Sequence, residues 1–269
     1  MAVKMGVLRT PLHLIFKYRK ILMSVARVEF AKRYSGSLFG RFWVLLYPTL
    51  LLSMYLFVYV AVFQMRFSDA SPIDYAIYVF CGLIPYIGFM EAVTSGCTAI
   101  KQNIHLVRNV MLPIELIPLR YVLMSIITEM IGLGLLIAIA AWNGSLGWNL
   151  IALPFVVVIQ TMLLAGIVWF ISPLAMVLPD TSYFVNLFVM LLMFVSPIGF
   201  RPDMVHGLFR LALYLNPVFY MTEVFRGAVI SGHSISAPVI ATYIVISAIL
   251  FFAGSAFFRR IKNVLADYE

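Results

Sequence analysis

The sequence predicts an all-α integral membrane protein: six transmembrane helices, an N-terminal amphipathic interface helix, and a re-entrant helical hairpin before the last span. Three observations carry that reading. Of 269 residues, 63% are hydrophobic and only 11% charged, whereas a soluble domain carries about 25% charged residues. Mean hydropathy is +1.02, and apolar runs close to the ~20 residues that cross a hydrocarbon core recur along the whole length. Between two such runs, residues 196–232 are instead cut into short apolar pieces by proline and glycine. One membrane domain, with no appended soluble catalytic domain, accounts for all three.

Residues 1–41 form an N-terminal segment with nine Lys or Arg and one acid, Glu29. Within it Leu14, Tyr18, Ile21, Leu22, Val25 and Val28 recur at helical spacing, with Lys17, Lys20 and Arg27 on the other side. Two readings fit: a basic helix lying in the headgroup layer, or a helix packed on a protein partner. Residues 42–258 hold the spans, at about 42–63, 73–98, 114–142, 150–178, 183–195 and 238–258. Residues 64–72 (QMRFSDASP) and 143–149 (NGSLGWN) are polar turns, and Asp180 or Thr181 is placed to cap the fifth span. Residues 99–113 (AIKQNIHLVRNVMLP) are polar enough to leave the membrane and patterned for a short helix.

Before the last span, Pro197, Pro202 and Pro217 stop helices, while Gly199, Gly207, Gly227 and Gly232 supply turns. The pieces left, 204–215 and 218–230, are each about half a bilayer long. Broken backbone persists at membrane depth only against protein or a wet cavity. Residues 201–232 therefore read as a re-entrant pair, with an amphipathic surface loop as the other reading. Residues 259–269 are a basic tail. Fifteen of the nineteen Lys and Arg lie on the side of both termini and the 99–113 loop, against four (Arg66, Arg201, Arg210, Arg226) on the other. The positive-inside rule then makes both termini and that loop cytoplasmic and turns the re-entrant pair outward. No repeat relates the two halves, which disfavours an inverted-repeat carrier.

The net charge of +8 is spread beside apolar runs rather than along one polar face, which points to membrane lipids and away from nucleic acid. No phosphate-binding G-x-x-x-x-G-K-[ST] run, H-E-x-x-H, C-x-x-C or G-x-S-x-G elbow occurs, and the four histidines are scattered. No catalytic or metal site and no bound nucleotide are expected on this chain. Cys81 and Cys97 fall in one apolar segment, a poor disulfide framework, and no cleaved signal peptide is expected. Glu91 and Glu129, with Gln160 as a polar companion, are the carboxylates read inside spans, near their ends. Each is either functional or a partner in an interhelical hydrogen bond. Tyr55, Tyr59 and Phe63 recur four apart on the first span, and Phe184 and Phe188 do so on the fifth. Such stripes pack lipid or bind the C–H faces of sugars that slide past. Glu223 and Arg226, three apart, share a helix face and pair as a clamp on the hairpin or as part of an external gate.

Three stretches resemble the permease subunits of type-2 ABC exporters, in the polysaccharide and polyol-phosphate branch. They are Arg33-Tyr34-Ser35-Gly36-Ser37-Leu38-Phe39-Gly40 with Trp43 and Pro48, then Arg108-Asn109-Val110-Met111-Leu112-Pro113 running to Pro118, and Leu215-Asn216-Pro217 with Glu223 and Arg226. Arg41 departs from the apolar residue expected there. The resemblance implies a homodimer in the bacterial inner membrane, worked by two separate ATP-binding cassette subunits that hold ATP and Mg. It implies a coupling helix over about 99–112, with Lys101, Asn103, His105, Arg108 and Asn109 toward the ATPase. Arg33, Arg41 and Lys32 would meet a lipid-linked pyrophosphate at a lateral portal, or serve only as membrane anchors. Tyr55, Tyr59, Phe63, Phe184 and Phe188 would line the channel, and Asn216, Pro217, Glu223 and Arg226 would shape its outer gate. The expected cargo is lipid-linked polysaccharide such as O-antigen, teichoic acid or capsule. The alternatives are export of a small hydrophobic drug or lipid, a lipid-modifying enzyme, and a proton-coupled carrier.

Overall fold

The computed structural model describes residues 11–33, 36, 38–62, 71–103 and 113–267. In chain order the helices are α1 (Pro11–Arg33), α2 (Trp43–Leu56), α3 (Pro72–Cys97), α4 (Ala99–Gln102), α5 (Leu116–Trp142), α6 (Leu153–Val177), α7 (Thr181–Val195), α8 (Leu208–Leu215), α9 (Pro217–Val229) and α10 (Ala237–Asp267). The π-helical turns Phe57–Val62 prolong α2, and a 3-10 turn, Trp148–Ala152, leads into α6. Among the described residues the β-type pairing is a single bridge, Leu146 to Ile230.

Four stretches are long and apolar enough to cross a membrane: Pro72–Cys97, Leu116–Trp142, Trp148–Val177 and Ala237–Lys262. The first and fifth of the six expected spans coincide with shorter apolar helices, Leu45–Met54 within α2 and Thr181–Val195. At 15 residues, α7 extends about 22 Å, short of a ~30 Å hydrocarbon core. Length and composition thus support four crossings among the described residues.

α3 is the central post, its apolar window 83% buried against 28% for α10. Its start is fixed by a capping box: Ser71 Oγ accepts from Asp74 N at 3.2 Å while Ser71 N donates to Asp74 Oδ2 at 3.2 Å. Asp74 Oδ1 also accepts from Asn143 Nδ2 at 2.7 Å, tying the start of α3 to the end of α5. At the same end the α5–α6 turn joins α9 through Gly147 N to Val229 O at 2.9 Å and Ser231 N to Ser145 O at 2.8 Å. α6 and α10 pack backbone to backbone, since a Cβ on Gly254 would lie 2.1 Å from the Gly166 carbonyl oxygen.

At the opposite end Leu22, Ile100, Leu116, Leu119, Trp169, Phe251 and Phe258 form a second apolar cluster. Trp169 Nε1 donates to the Glu115 carbonyl and Lys262 Nζ to Glu115 Oε1, both at 2.9 Å. This cluster seats α1. Leu22 and Ala26 are buried, with Ile15 and Tyr18 packed beside the cluster, but Ile21 and Val28 are exposed. The stripe that meets the bundle is a single i, i+3/i+4 row, and Ile21 and Val28 face outward from the single chain. The stretch expected as a half-length helix over 204–215 is helical over a shorter length. Residues 202–204 form a 3-10 turn, and α8 starts only at Leu208, after Gly207 at φ +66°. That left-handed conformation, open to glycine, ends any helix begun at residue 204.

Candidate functional site

Side chains at helical spacing on three helices face one another across an open groove of about 730 Å³. α2 contributes Trp43, Tyr47 and Pro48; α3 contributes Ile87, Met90, Glu91, Thr94 and Ser95; α7 contributes Asn186, Val189, Met190 and Met193; Thr128 of α5 closes the back. The Tyr86 hydroxyl donates to the Val189 carbonyl and fastens α7 to α3. The wall mixes one carboxylate, four hydroxyls and an amide with aromatic and methionine surface. Such a lining binds an amphiphilic or hydroxyl-rich ligand without fixing one pose.

α9 is fastened at Arg226. This fully buried guanidinium donates through Nη2 to the Pro197 and Ile198 carbonyls at 2.6 and 2.9 Å, and through Nε to the Tyr78 carbonyl at 3.3 Å. Nη1 donates to Glu223 Oε1 at 2.8 Å, and the guanidinium lies 3.6 Å from the Tyr78 ring centroid. One side chain thereby binds α9 to α3 and to the connection after α7. Asn216 caps α9, its Oδ1 accepting from Val218 N at 2.9 Å while Nδ2 donates to Ser196 Oγ at 2.8 Å. Pro217 follows at the first helical position. Glu223 also meets His233 Nε2 at 3.2 Å. Burial pushes the Glu223 carboxyl up, but the His233 hydrogen bond and the Arg226 charge outweigh it and hold it below its ordinary value. Beside the clamp lies a polar cavity of about 500 Å³ lined by Tyr78, Arg201, Asp203, Glu223 and His233 among others.

The other predicted site residues scatter. Phe184 and Phe188 are 70% and 61% exposed on α7, on a different strip from the groove-lining Asn186, Val189, Met190 and Met193. Tyr55 lies on α2 and Tyr59 on its π extension, Lys32 and Arg33 end α1, and Arg41 sits in the turn before α2; their side chains fall outside the described set. Phe63, His105, Arg108 and Asn109 lie outside the described residues. Lys101 is exposed on α4, and Asn103 Nδ2 donates to the Ala99 carbonyl at 2.8 Å and to Tyr121 Oη at 3.2 Å. Glu129, expected near a span end, sits mid-helix in α5 and accepts from Gln160 at 2.9 Å. Sequence reasoning missed Tyr47 and Asn186. Tyr47 continues the Tyr55–Tyr59–Phe63 spacing two helical turns back, a signal that was present. Among the described residues no three His, Cys, Asp or Glu side chains converge as metal ligands.

The sequence matches the model of the ABC-2 type transporter family over residues 21–230. It is 24% identical over 256 residues to the O-antigen export system permease protein RfbA of Myxococcus xanthus, covering 94% of this chain and 96% of that one. With the protein of the same name from Klebsiella pneumoniae it shares 26% over 254 residues, covering 92% and 94% of the two chains. A second Klebsiella pneumoniae permease of that name is 22% identical over 250 residues. A family match spanning most of the chain, on a bundle of membrane-length apolar helices, makes this a multi-pass membrane transport component that belongs to the ABC-2 type transporter family.

Proposed function

We propose that the chain is the transmembrane subunit of an ATP-driven exporter that carries lipid-linked polysaccharide, O-antigen in the first instance, across the bacterial inner membrane. The observation that carries this reading is the open groove between α2, α3 and α7, lined by both hydroxyl-binding and apolar groups. Full-length similarity to permeases named for O-antigen export supports the cargo class. In this reading α2 and α7 complete six crossings with both termini cytoplasmic. A second copy faces α7, and two ATP-binding cassette subunits bind ATP and Mg below. Lys32, Arg33 and Arg41 meet the lipid pyrophosphate through charge-assisted hydrogen bonds. Residues 99–112 transmit closure of the ATPase pair, and Tyr55, Tyr59, Phe63, Phe184 and Phe188 flank the sliding glycan. The Asn216–Arg226 hairpin closes the outer end.

Reconstitution into proteoliposomes with the ATP-binding subunits tests the reading. ATP-dependent translocation of lipid-linked polysaccharide, lost without the ATPase, is the expected result. Translocation without nucleotide, or ATP-driven export of small apolar lipids with the glycan ignored, would contradict it.

A further inference from the structure

A buried polar point between four helices is left unused by the export reading. Glu129 of α5 is 2% exposed and Gln160 of α6 0%. Gln160 Nε2 donates to the Pro85 carbonyl of α3 at 3.2 Å and to Glu129 Oε2 at 2.9 Å. A carbonyl only accepts, so Pro85 fixes which end of the amide is nitrogen, and Gln160 Oε1 must find its own donor. In the structure it has none, and neither Glu129 Oε1 nor the Tyr243 hydroxyl of α10 has a partner. Gly88 of α3 makes room for the carboxyl, since a Cβ there would stand 2.3 Å from Oε2.

Glu129 faces the Pro85–Gly88 stretch from α3 and Gln160 from α6, and the buried Tyr243 of α10 belongs to the same core. Among the described residues no Lys, Arg or His pairs with it. An ionised carboxylate here would have one amide donor, no counter-charge and no water-exposed edge, a setting that drives a carboxyl to the neutral form. Full burial likewise makes unmatched acceptors costly.

We propose that Glu129 binds and keeps a proton in the resting protein, with Oε1–H donating to Gln160 Oε1 while the amide donates back to Oε2. A single hydrogen, taken from water as the chain folds, then satisfies both orphaned oxygens and closes a cyclic acid–amide pair. The pair is a neutral bolt joining α5 to α6, and through Pro85 to α3. Thr128, the residue before Glu129, lines the groove, so the bolt sets the position of the groove's back wall. It is a positioning element and not a step in a proton relay. The proposal stands apart from what the groove carries.

The test is infrared difference spectroscopy on the purified full-length protein, wild type against Glu129→Gln, at neutral pH. A protonated-carboxyl stretch present in wild type and missing in the variant is expected; an ionised-carboxylate band in its place overturns the proposal. A glutamine at 129 makes the same two bonds to Gln160, so Glu129→Gln should melt and export like wild type, whereas Glu129→Leu strands the amide and melts earlier. If Glu129→Gln folds normally but loses export, a titrating acid is required and the neutral bolt is wrong. Should Glu129→Gln alone fold poorly, the exchange Glu129→Gln with Gln160→Glu returns the acid–amide pair and should recover both the melting temperature and the protonated band. Failure of the exchange to recover either counts against the pair.

Discussion

α9 and α7 are both short apolar helices, of 13 and 15 residues, but they are held in opposite ways. α9 is buried along nearly all its length, and its one arginine has hydrogen-bond partners on three segments of the chain. α7 buries Val189 alone and leaves Phe184, Leu187, Phe188, Leu191 and Phe194 exposed in the single chain. One helix is frame and the other is face. Hydropathy does not separate them, because an apolar residue facing lipid or a second copy scores like one facing the core. Polar side chains separate them: α9 carries Glu223 and Arg226 with partners waiting, whereas the groove strip of α7 carries only Asn186.

The distinction breaks most sharply at Arg226. Arg226→Ala strips the Pro197, Ile198 and Tyr78 carbonyls of their donor and leaves Glu223 without its cation, at a cost of about 3–5 kcal/mol. Thermal melting in detergent should fall accordingly; an unchanged melting point would erase the frame. Arg226→Lys should recover only part, because one ammonium does not reach carbonyls on both sides as a planar fork does. Asn216→Ala removes the cap on Val218 N and the contact with Ser196, for about 1 kcal/mol by the same measurement.

Acid sharpens the comparison further. Glu223 titrates below its ordinary value of 4.5, so its stabilisation is complete above that pH and is lost as pH falls through the lowered value. Melting should therefore be insensitive to Glu223→Gln in strong acid and sensitive to it at neutral pH. The smallest effect on stability belongs to the face. Phe184→Ala and Phe188→Ala should each shift stability by no more than about 0.5 kcal/mol, while export in the reconstituted system drops. A large loss of stability from either would place α7 in the frame.

Much of the helical layout was legible. The long apolar runs and the Asn216-Pro217 break before α9 mark themselves through hydropathy and proline chemistry. The Glu223–Arg226 pair was legible from its spacing. Illegible was which side of a helix meets a neighbour when every side is apolar. α1 turned out to pack on the row through Leu22 and Ala26; the central place of Glu129 was readable from the bounds of its own span, whereas its hydrogen bond to Gln160 depends on the register between α5 and α6, which no single segment encodes. The groove was half visible: the tyrosine spacing on α2 pointed along the right helix, but its facing residues on α3 are met only once the helices are assembled.

The central claim is that glycan passes along the α2–α3–α7 groove. A photo-reactive amino acid placed at Asn186 or at Tyr47, both groove-lining, and at Phe252 on the exposed side of α10 tests it directly in the reconstituted complex. Cross-links to polysaccharide that form at the two groove positions only with ATP, and not at Phe252, are predicted. Equal labelling at Phe252, or none in the groove during active export, would contradict the account.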